Sequence, residues 1–319
     1  MKSRFVWMNG DLVPFEKATV HFLTPSLHYG TGIFEGIRVY ATDAGPAVFR
    51  LREHAERLVR SAHLLGLRDL PYKAGEIEQA ILQVVAANGF GSCYVRPLFF
   101  LTGAGWNLTV DRATVELGIA AWEWTAYLGA EAREQGVRAN VSSFTRHHPN
   151  VALTKAKIAG HYVNSVLAKT ESVRLGFEEA IMLDPYGFVA ECTGENLFLV
   201  RDGRITTPDS ATVLEGITRD ALLTLARDHG YEVAEGPVSR DQLYGADEVF
   251  VCGTAAEVIG LCEIDFRTIG TGRTGPVTRR LQEAYRRVVE GREPRYRHWL
   301  TPVPAAVPEE SREEVCAIS

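Results

Sequence analysis

The apolar residues of this chain change period along its length, and the changes mark out its elements. FVWM and LVPF flank Asn9-Gly10-Asp11. An Asn-Gly pair supplies the positive φ angles of a tight turn, so the chain is expected to open on a β-hairpin. From near Arg52, in HAERLVRSAHLLGL, the residues Ala55, Leu58, Ala62 and Leu65 recur at spacings of three and four. That spacing predicts a helix, with Gly66 as its stop. GEIEQAILQVVAANG repeats the pattern with Ile77, Ile81, Val84 and Val85 and stops at Gly89. CYVRPLFFL and VELGIAAWEW then read as strands on either side of the loop TGAGWNLTVDRAT. Thr125 to Gly136 reads as a connection. After it, VRANVSSF reads as a strand and AKIAGHYVNSVLAKTESVRLG as a long helix ending at Gly176. EEAIMLD, FVAEC and NLFLV are strand candidates, and Asp202-Gly203 is a second hairpin turn. A helix in TRDALLTLARDHG, a strand in DEVFVCG and a last helix in GPVTRRLQEAYRRVVEG complete the pattern.

Both halves mix helices with strands, and the strands of the first half come in hairpins, which predicts a mainly antiparallel sheet there. The expected division is a small N-terminal α/β domain at 1–124, a connection at 125–136 and a larger C-terminal domain at 137–301. A tail at 302–319, rich in Pro and Glu, is expected to be mobile. No internal repeat is found.

Length and composition narrow the class without naming a function. The 319 residues suffice for one large or two ordinary domains, and 46% hydrophobic with 23% charged is ordinary for a soluble globular protein. A formal net charge of -6 gives no global field for nucleic acid or an anionic membrane, so neither is an expected partner. The start of the chain lacks a continuous apolar run of the signal-peptide kind, and no stretch approaches the ~18 apolar residues of a membrane span. The five cysteines are scattered without CxxC spacing, against a disulfide framework or a zinc site. A reducing cytoplasm is the expected setting.

The common catalytic motifs are absent: no GxGxxG follows a strand, and GxxxxGK[ST], GxSxG and HExxH do not occur. The histidines lack metal-ligand spacing, and His147-His148, as neighbours, would point apart in a strand; no metal is expected. Three short segments remain. EGITRD puts Gly216, Ile217 and Thr218 just before a helix, where free backbone N–H groups suit a phosphate, although a plain Thr N-cap explains the same letters. CGTAAEV puts Gly253, Thr254, Ala255 and Ala256 after a strand, where small residues admit a ligand to the backbone or simply make a tight strand-to-helix turn. Lys155 and Lys157 sit in the apolar stretch VALTKAKIAG, where desolvation lowers an amine's pKa and frees a nucleophile; a pair of solvated helix-start lysines is the plainer reading.

Taken in order, LHYGTGIFEGIRVY, HAERL, YVRPLFF, AYLGAE, AKIAGHYVNSVLA, ECTGENLF, LEGITRD, DEVFVCGTAAEV and GPVTRRLQ resemble the fold-type IV pyridoxal-phosphate enzymes. Within these the chain looks most like the branched-chain amino acid aminotransferases, from about Trp7 to about Leu281. The resemblance implies a two-domain α/β (α+β) fold, with a small antiparallel α/β domain and a larger barrel-like α/β domain. It implies pyridoxal 5′-phosphate as cofactor and reversible amino transfer between a branched-chain L-amino acid and 2-oxoglutarate. It also implies at least a homodimer, with a hexamer as the larger option.

Residue by residue, the resemblance makes Lys157 the lysine that holds the cofactor covalently and shuttles the substrate proton, whereas Lys155 does not match. Glu191 matches the acid that pairs with the pyridine nitrogen, Glu195 is read as structural, and Tyr162 matches the phenol on the ring oxygen. Arg57, the Ile217 and Thr218 amides and Thr254 match phosphate ligands, and Leu214 would pack on the ring. Tyr29, Phe34, Trp124 and Tyr127 match an apolar side-chain pocket, with Gly36 and Arg38 in the same wall. Tyr94, Arg96 and the amides of Ala255 and Ala256 match groups that receive carboxylates.

The chain departs from the usual pattern at Glu123 and Thr125, where Pro and Gly are more usual, and at Ile259-Gly260, where Thr-Pro is common. Trp106 stands where a smaller residue is expected, and His147-His148 replaces a less bulky pair. These positions leave open the preferred donor. The alternatives are a D-amino acid or R-amine transaminase, an aminodeoxychorismate lyase, a biosynthetic transaminase with an unusual donor, or a catalytically silent protein of the same fold.

Overall fold

The computed structural model describes residues 3–103, 108–124, 130–209 and 212–305. The chain forms two compact units, one within Met1–Trp124 that is completed by the segment beginning at Val289, the other within Thr125–Val288.

Among the described residues the first unit holds an antiparallel sheet of eight strands. Its opening hairpin, Phe5–Met8 with Asp11–Pro14, turns at Asn9 (φ 50°) and Gly10 (φ 113°), as the Asn-Gly pair requires. The longest pairing joins Cys93–Thr102 to Thr114–Trp122, nine residues in register from Tyr94↔Trp122 to Thr102↔Thr114. Alternation along Cys93–Thr102 decides what each face is for. Cys93, Val95, Phe99 and Leu101 are almost fully buried. They share that apolar interior with the buried stripes of two helices, Leu51–Leu64 (Ala55, Leu58, Ala62) and Ala74–Asn88 (Ile77, Ile81, Val84, Val85). Tyr94, Arg96 and Leu98 alternate to the other face. Ile37–Thr42 and Gly45–Phe49, which lack a clean two-residue alternation, extend the sheet.

One expected boundary is corrected here. The larger domain was drawn to residue 301, but Leu300–Pro302 pairs antiparallel with Gly45–Phe49 in the first sheet. The cause is aromatic: the ring of buried Trp299 lies 6.0 Å from Phe49 and under the Arg50 guanidinium at 4.8 Å, while Arg50 N–H donates to Trp299 O at 2.7 Å. The expected mobile tail keeps only its first residues, up to 305, within the described part.

Among the described residues the second unit holds a nine-stranded mixed sheet. Its order begins Val189–Cys192, Glu179–Leu183, Val137–Val141, Glu257–Ile264, Glu248–Gly253, Asn196–Arg201. Val189–Cys192 and Asn196–Arg201 are thus five places apart, about 24 Å in a flat sheet at about 4.8 Å per strand. Yet only residues 193–195 join them, which reach about 14 Å at most. The sheet must therefore curl strongly, and Cys192 N–H indeed donates to Glu195 O at 2.8 Å. The curl wraps a core that includes Ile181, Leu197, Leu199, Val249, Val251 and Leu261. On the neighbouring positions Phe198 stacks on Phe250 at 4.9 Å.

Three local expectations change. The long helix begins at Tyr162, not at Ala156: Ile158 is extended (φ −96°, ψ 133°), and Ala159–His161 makes a single 3-10 turn first. The segment 254–256 is a hairpin turn between two strands rather than a strand-to-helix turn, because Gly253 pairs with Glu257, and Glu257 adopts φ 59° to close it. The connection 125–136 contains a short helix, Ala130–Gln135.

Trp299→Ala should remove the anchor of the returning strand. The first urea transition should then lose about 3 kcal/mol, in line with other buried Trp truncations. An unchanged midpoint would show that the strand pairing alone holds this segment.

Candidate functional site

In the second unit the site is built from the loop before one helix, the end of one strand and the start of a second helix. Lys157 lies in the extended step before the 3-10 turn, and that turn brings Tyr162 back over it. The Lys157 Nζ donates to Tyr162 Oη at 2.5 Å. Both side chains are half-buried. Lys155, two residues earlier, donates its amine to Val213 O at 2.8 Å. Burial pushes the Lys155 amine below its ordinary value. Desolvation alone would thus have singled out the lysine that the resemblance does not match; the Tyr162 contact is what separates the two.

Glu191 is the penultimate residue of the strand Val189–Cys192 and is buried. Its Oε1 faces Arg146 Nη2 at 2.8 Å, and its Oε2 accepts from Leu214 N–H at 3.2 Å and Asn196 Nδ2 at 3.3 Å. Burial raises the Glu191 carboxyl above its ordinary value, and Arg146 and the Leu214 amide oppose that rise. Asn196 also donates to Leu214 O at 3.1 Å, so one amide side chain ties Glu191 to the Leu214 segment. Glu195, four residues on, has a different fate. It accepts from Gly194 N–H at 3.0 Å, and burial with the nearby Glu179 pushes it up to about 8, which keeps it protonated near neutrality. The two acids are alike in sequence, but among the described residues only Glu191 has a guanidinium on it.

The helix Ile217–Asp228 starts directly after this segment. Its N-cap is Gly216, which offers no side chain to the amides of Ile217 and Thr218, so the start of the helix could receive an anion. Gly216 is required, since a Cβ there would lie 1.9 Å from Asn196 Oδ1. The plain Thr N-cap reading of EGITRD therefore fails: Thr218 lies inside the first turn. The Thr254–Ala256 turn reaches the same region, because Asn196 pairs with Cys252 and Gly253 approaches Gly194 O.

In the first unit Phe34, Gly36, Arg38, Tyr94 and Arg96 meet on the sheet face turned away from the helices. Arg38 is registered opposite Tyr94 and Phe34 opposite Leu98. The Arg96 guanidinium lies over Phe34 at 4.6 Å, and its Nη2 is 3.4 Å from Tyr94 Oη. Its Nε is buried without a hydrogen-bond acceptor among the described residues, as expected of a group that receives a carboxylate. A Cβ on Gly36 would lie 1.8 Å from Tyr94 Oη, so only glycine lets that phenol take its place. Trp124 stacks obliquely on Tyr94 at 4.9 Å, with Trp122 also at 5.2 Å. Tyr29 ends the short helix Pro25–Tyr29 and is 41% exposed, with its ring 6.4 Å from His28. Tyr127, Thr125 and Trp106 lie outside the described residues.

Arg57 belongs to the helix Leu51–Leu64 and is buried. It makes a paired contact with Glu35, Nε to Oε1 at 2.6 Å and Nη2 to Oε2 at 2.8 Å. Sequence reasoning missed Arg146, Asn196 and Glu35. For Asn196 the signal was its place in the quoted ECTGENLF; for Arg146 there was none. Among the described residues no group of three or more His, Cys, Asp or Glu could hold a metal. Of the departures, Ile259 is a buried strand residue opposite Val251, and Gly260 lets Thr274 approach where a Cβ would lie 2.8 Å from its Oγ1.

Comparison with known proteins places the chain in a family. The family model described as amino-transferase class IV matches residues 32–264. The branched-chain-amino-acid aminotransferase of Pseudomonas aeruginosa is 47% identical over 296 residues, covering 93% of this chain and 96% of that protein. That of Escherichia coli K12 is 46% identical over 287 residues, covering 89% and 92%. A crystal structure of the T.th. branched-chain amino acid aminotransferase with pyridoxamine 5′-phosphate superposes with a TM-score of 0.92 at 50% identity, covering 95% of this chain and 100% of that one. The same T.th. enzyme has been solved with N-(5′-phosphopyridoxyl)-L-glutamate and with 4-methylvaleric acid. The residues present fit such a cofactor: an amine beside a phenol, a buried carboxylate on a guanidinium, and an uncapped helix start.

Lys157→Ala should abolish amino transfer, whereas Lys155→Ala should keep most of it, as measured by keto-acid formation from an amino donor. The reverse result would show that the lysine was assigned in the wrong register.

Proposed function

Because the chain belongs to the class IV aminotransferase family, and within it to the branched-chain-amino-acid aminotransferases, we propose that it moves the amino group of leucine, isoleucine or valine to 2-oxoglutarate with the residues described above. The Lys157–Tyr162 contact beside the buried Glu191–Arg146 pair is the observation that carries the reading. Bound pyridoxal phosphate supplies an aldehyde that takes up an amino group and a protonated ring that withdraws electrons from the substrate's α-carbon. The protein's share is positioning and proton transfer. Lys157 Nζ would hold the cofactor and would accept the proton from the substrate α-carbon. Tyr162 Oη fixes the direction of that amine. Glu191, whose ionised form Arg146 favours, would sit on the pyridine nitrogen and keep it protonated. The amides of Ile217 and Thr218, the Thr254 hydroxyl and Arg57 serve the phosphate. Leu214 would pack on the ring.

On the substrate side, Tyr29, Phe34, Gly36, Arg38, Trp124 and Tyr127 wall the side-chain pocket. Tyr94 and the Ala255 and Ala256 amides take the α-carboxylate, and Arg96 takes the distal carboxylate of glutamate. Phe34 lies beneath the Arg96 guanidinium, so an apolar surface and an unsatisfied donor stand side by side. Such a wall suits both an aliphatic and an acidic side chain. The ligands solved with the T.th. relative support this, since one carries glutamate and the other has the carbon skeleton of leucine without its amine.

A second copy of the chain is part of the proposal. Val163, Val166 and Leu167 are exposed on one face of the helix Tyr162–Arg174, an apolar stripe of the kind that marks a protein interface. A cytoplasmic setting is proposed on the free thiols of Cys93, Cys192, Cys252 and Cys262. No helix among the described residues is long and apolar enough to cross a membrane.

The first test is the visible spectrum of the protein loaded with pyridoxal phosphate, recorded before and after L-leucine, L-glutamate and D-alanine are added separately. Conversion by both L-amino acids and not by D-alanine is expected; a response to D-alanine alone would move the protein to the D-selective branch. The second test concerns pH. With burial raising Glu191, loss of Arg146 raises it further, and a carboxyl is neutral below its pKa. Arg146→Gln should therefore shift the acidic limb of the kcat–pH profile to higher pH, with activity recovering as pH rises. An unmoved limb would show that Arg146 does not govern the ionisation of Glu191.

A further inference from the structure

Glu35 is fully buried and lies in the break between Ile33–Phe34 and Ile37–Thr42. Its backbone N–H donates to Pro97 O at 3.0 Å, which fixes the break against the long central strand. Gly36 is pressed against Tyr94, while the Glu35 side chain is turned toward the helix Leu51–Leu64. There it meets two residues one turn apart. His54 Nδ1 lies 2.8 Å from Oε2, and because the carboxylate only accepts, this nitrogen carries the proton. Arg57 gives its Nε and Nη2 edge to the two oxygens at 2.6 and 2.8 Å. His54 is 1% and Arg57 4% exposed, so the whole group is out of water. Burial alone would raise the Glu35 carboxyl, but Arg57 and His54 together hold it well below the usual carboxylate range.

A side-on pair fixes a guanidinium more tightly than a single bond does, in plane as well as position. The carboxylate is itself fixed by the Gly36 N–H at 3.2 Å and by His54, so Arg57 is held at its far end by a rigid support. The Nη1 side is thereby turned away from Glu35. We propose that Glu35, with His54 behind it, is a positioning residue that holds the Arg57 guanidinium in the one orientation in which it receives the cofactor phosphate. The inference rests on the reading of Arg57 as a phosphate ligand and adds the residues that make that ligand directional. A long, flexible arginine would otherwise lose rotamer freedom on each binding event; here that ordering is done at folding.

The test compares two probes, pyridoxal 5′-phosphate and pyridoxal, which lacks the phosphate. Each is titrated into the full-length protein and followed by visible absorbance, and the ratio of the two affinities reports the phosphate contact alone. Glu35→Gln should weaken pyridoxal 5′-phosphate about tenfold and pyridoxal less than about twofold, and Glu35→Asp should restore part of the ratio. Equal weakening of both probes, or no weakening of either, overturns the proposal. If Glu35→Gln does not fold, His54→Gln replaces it: a reduced ratio supports the proposal and an unchanged ratio overturns it. Arg57→Gln serves as the control for the underlying reading. If it leaves the ratio unchanged, the phosphate assignment of Arg57 fails; if it lowers the ratio while Glu35→Gln does not, only the role of Glu35 fails.

Discussion

A carboxylate taken out of water must find a cation or take up a proton, and the second unit is arranged around that choice at Glu191. Its strand ends where the curled sheet brings the backbone of Leu214 and the side chain of Asn196 within reach, and Arg146 supplies the charge. Remove any of these and the acid drifts toward the neutral state that Glu195, four residues away, already occupies near pH 7. The contrast shows how one tight turn can hold two buried glutamates, both raised by burial, with a guanidinium opposing the rise at one and a second acid adding to it at the other. Of the two, Glu191 is the one that faces a guanidinium, which favours its ionised form.

The first unit solves a similar problem with the opposite sign. Arg57 is a buried cation that would be costly alone, and Glu35 offsets it. Because the contact is bidentate and braced by His54, neutralising the charge also orients it. Tyr94 is held in a comparable way, by packing and by a cation over its ring. Its phenol needs the space that Gly36 leaves, its ring is flanked by Trp122 and Trp124, and Arg96 closes the other side. In each of these cases a residue that matches the family is held by a neighbour whose own chemistry is ordinary.

Local rules made much of the fold legible. The Asn9-Gly10 turn, the apolar stripes of Leu51–Leu64 and Ala74–Asn88 and the glycine stops follow from backbone sterics and helical period, and the structure places them as expected. What escaped depends on partners distant in sequence. Nothing near Leu300 announces that it will pair with Phe49, because that pairing is fixed by Trp299 meeting a strand 250 residues earlier. The start of the long helix was misplaced because AKIAGHY has a helical composition. The 3-10 turn at Ala159–His161 keeps Lys157 off the helix and brings Tyr162 to it.

The candidate site was legible only through resemblance, for a reason that the two lysines make plain. Lys155 has the depressed amine that a search for nucleophiles would choose, yet its nitrogen is committed to a carbonyl. Lys157 is distinguished by a phenol five residues on, a relation set by a turn that no periodicity encodes. Glu35 was part of a quoted motif, FEGIR, and still went unassigned, since its partners stand 19 and 22 residues away. Residue type and spacing therefore identify which groups can do chemistry. Which of two similar groups is used depends on what the fold sets against each of them: a carbonyl or a phenol for the lysines, a guanidinium or a second acid for the glutamates.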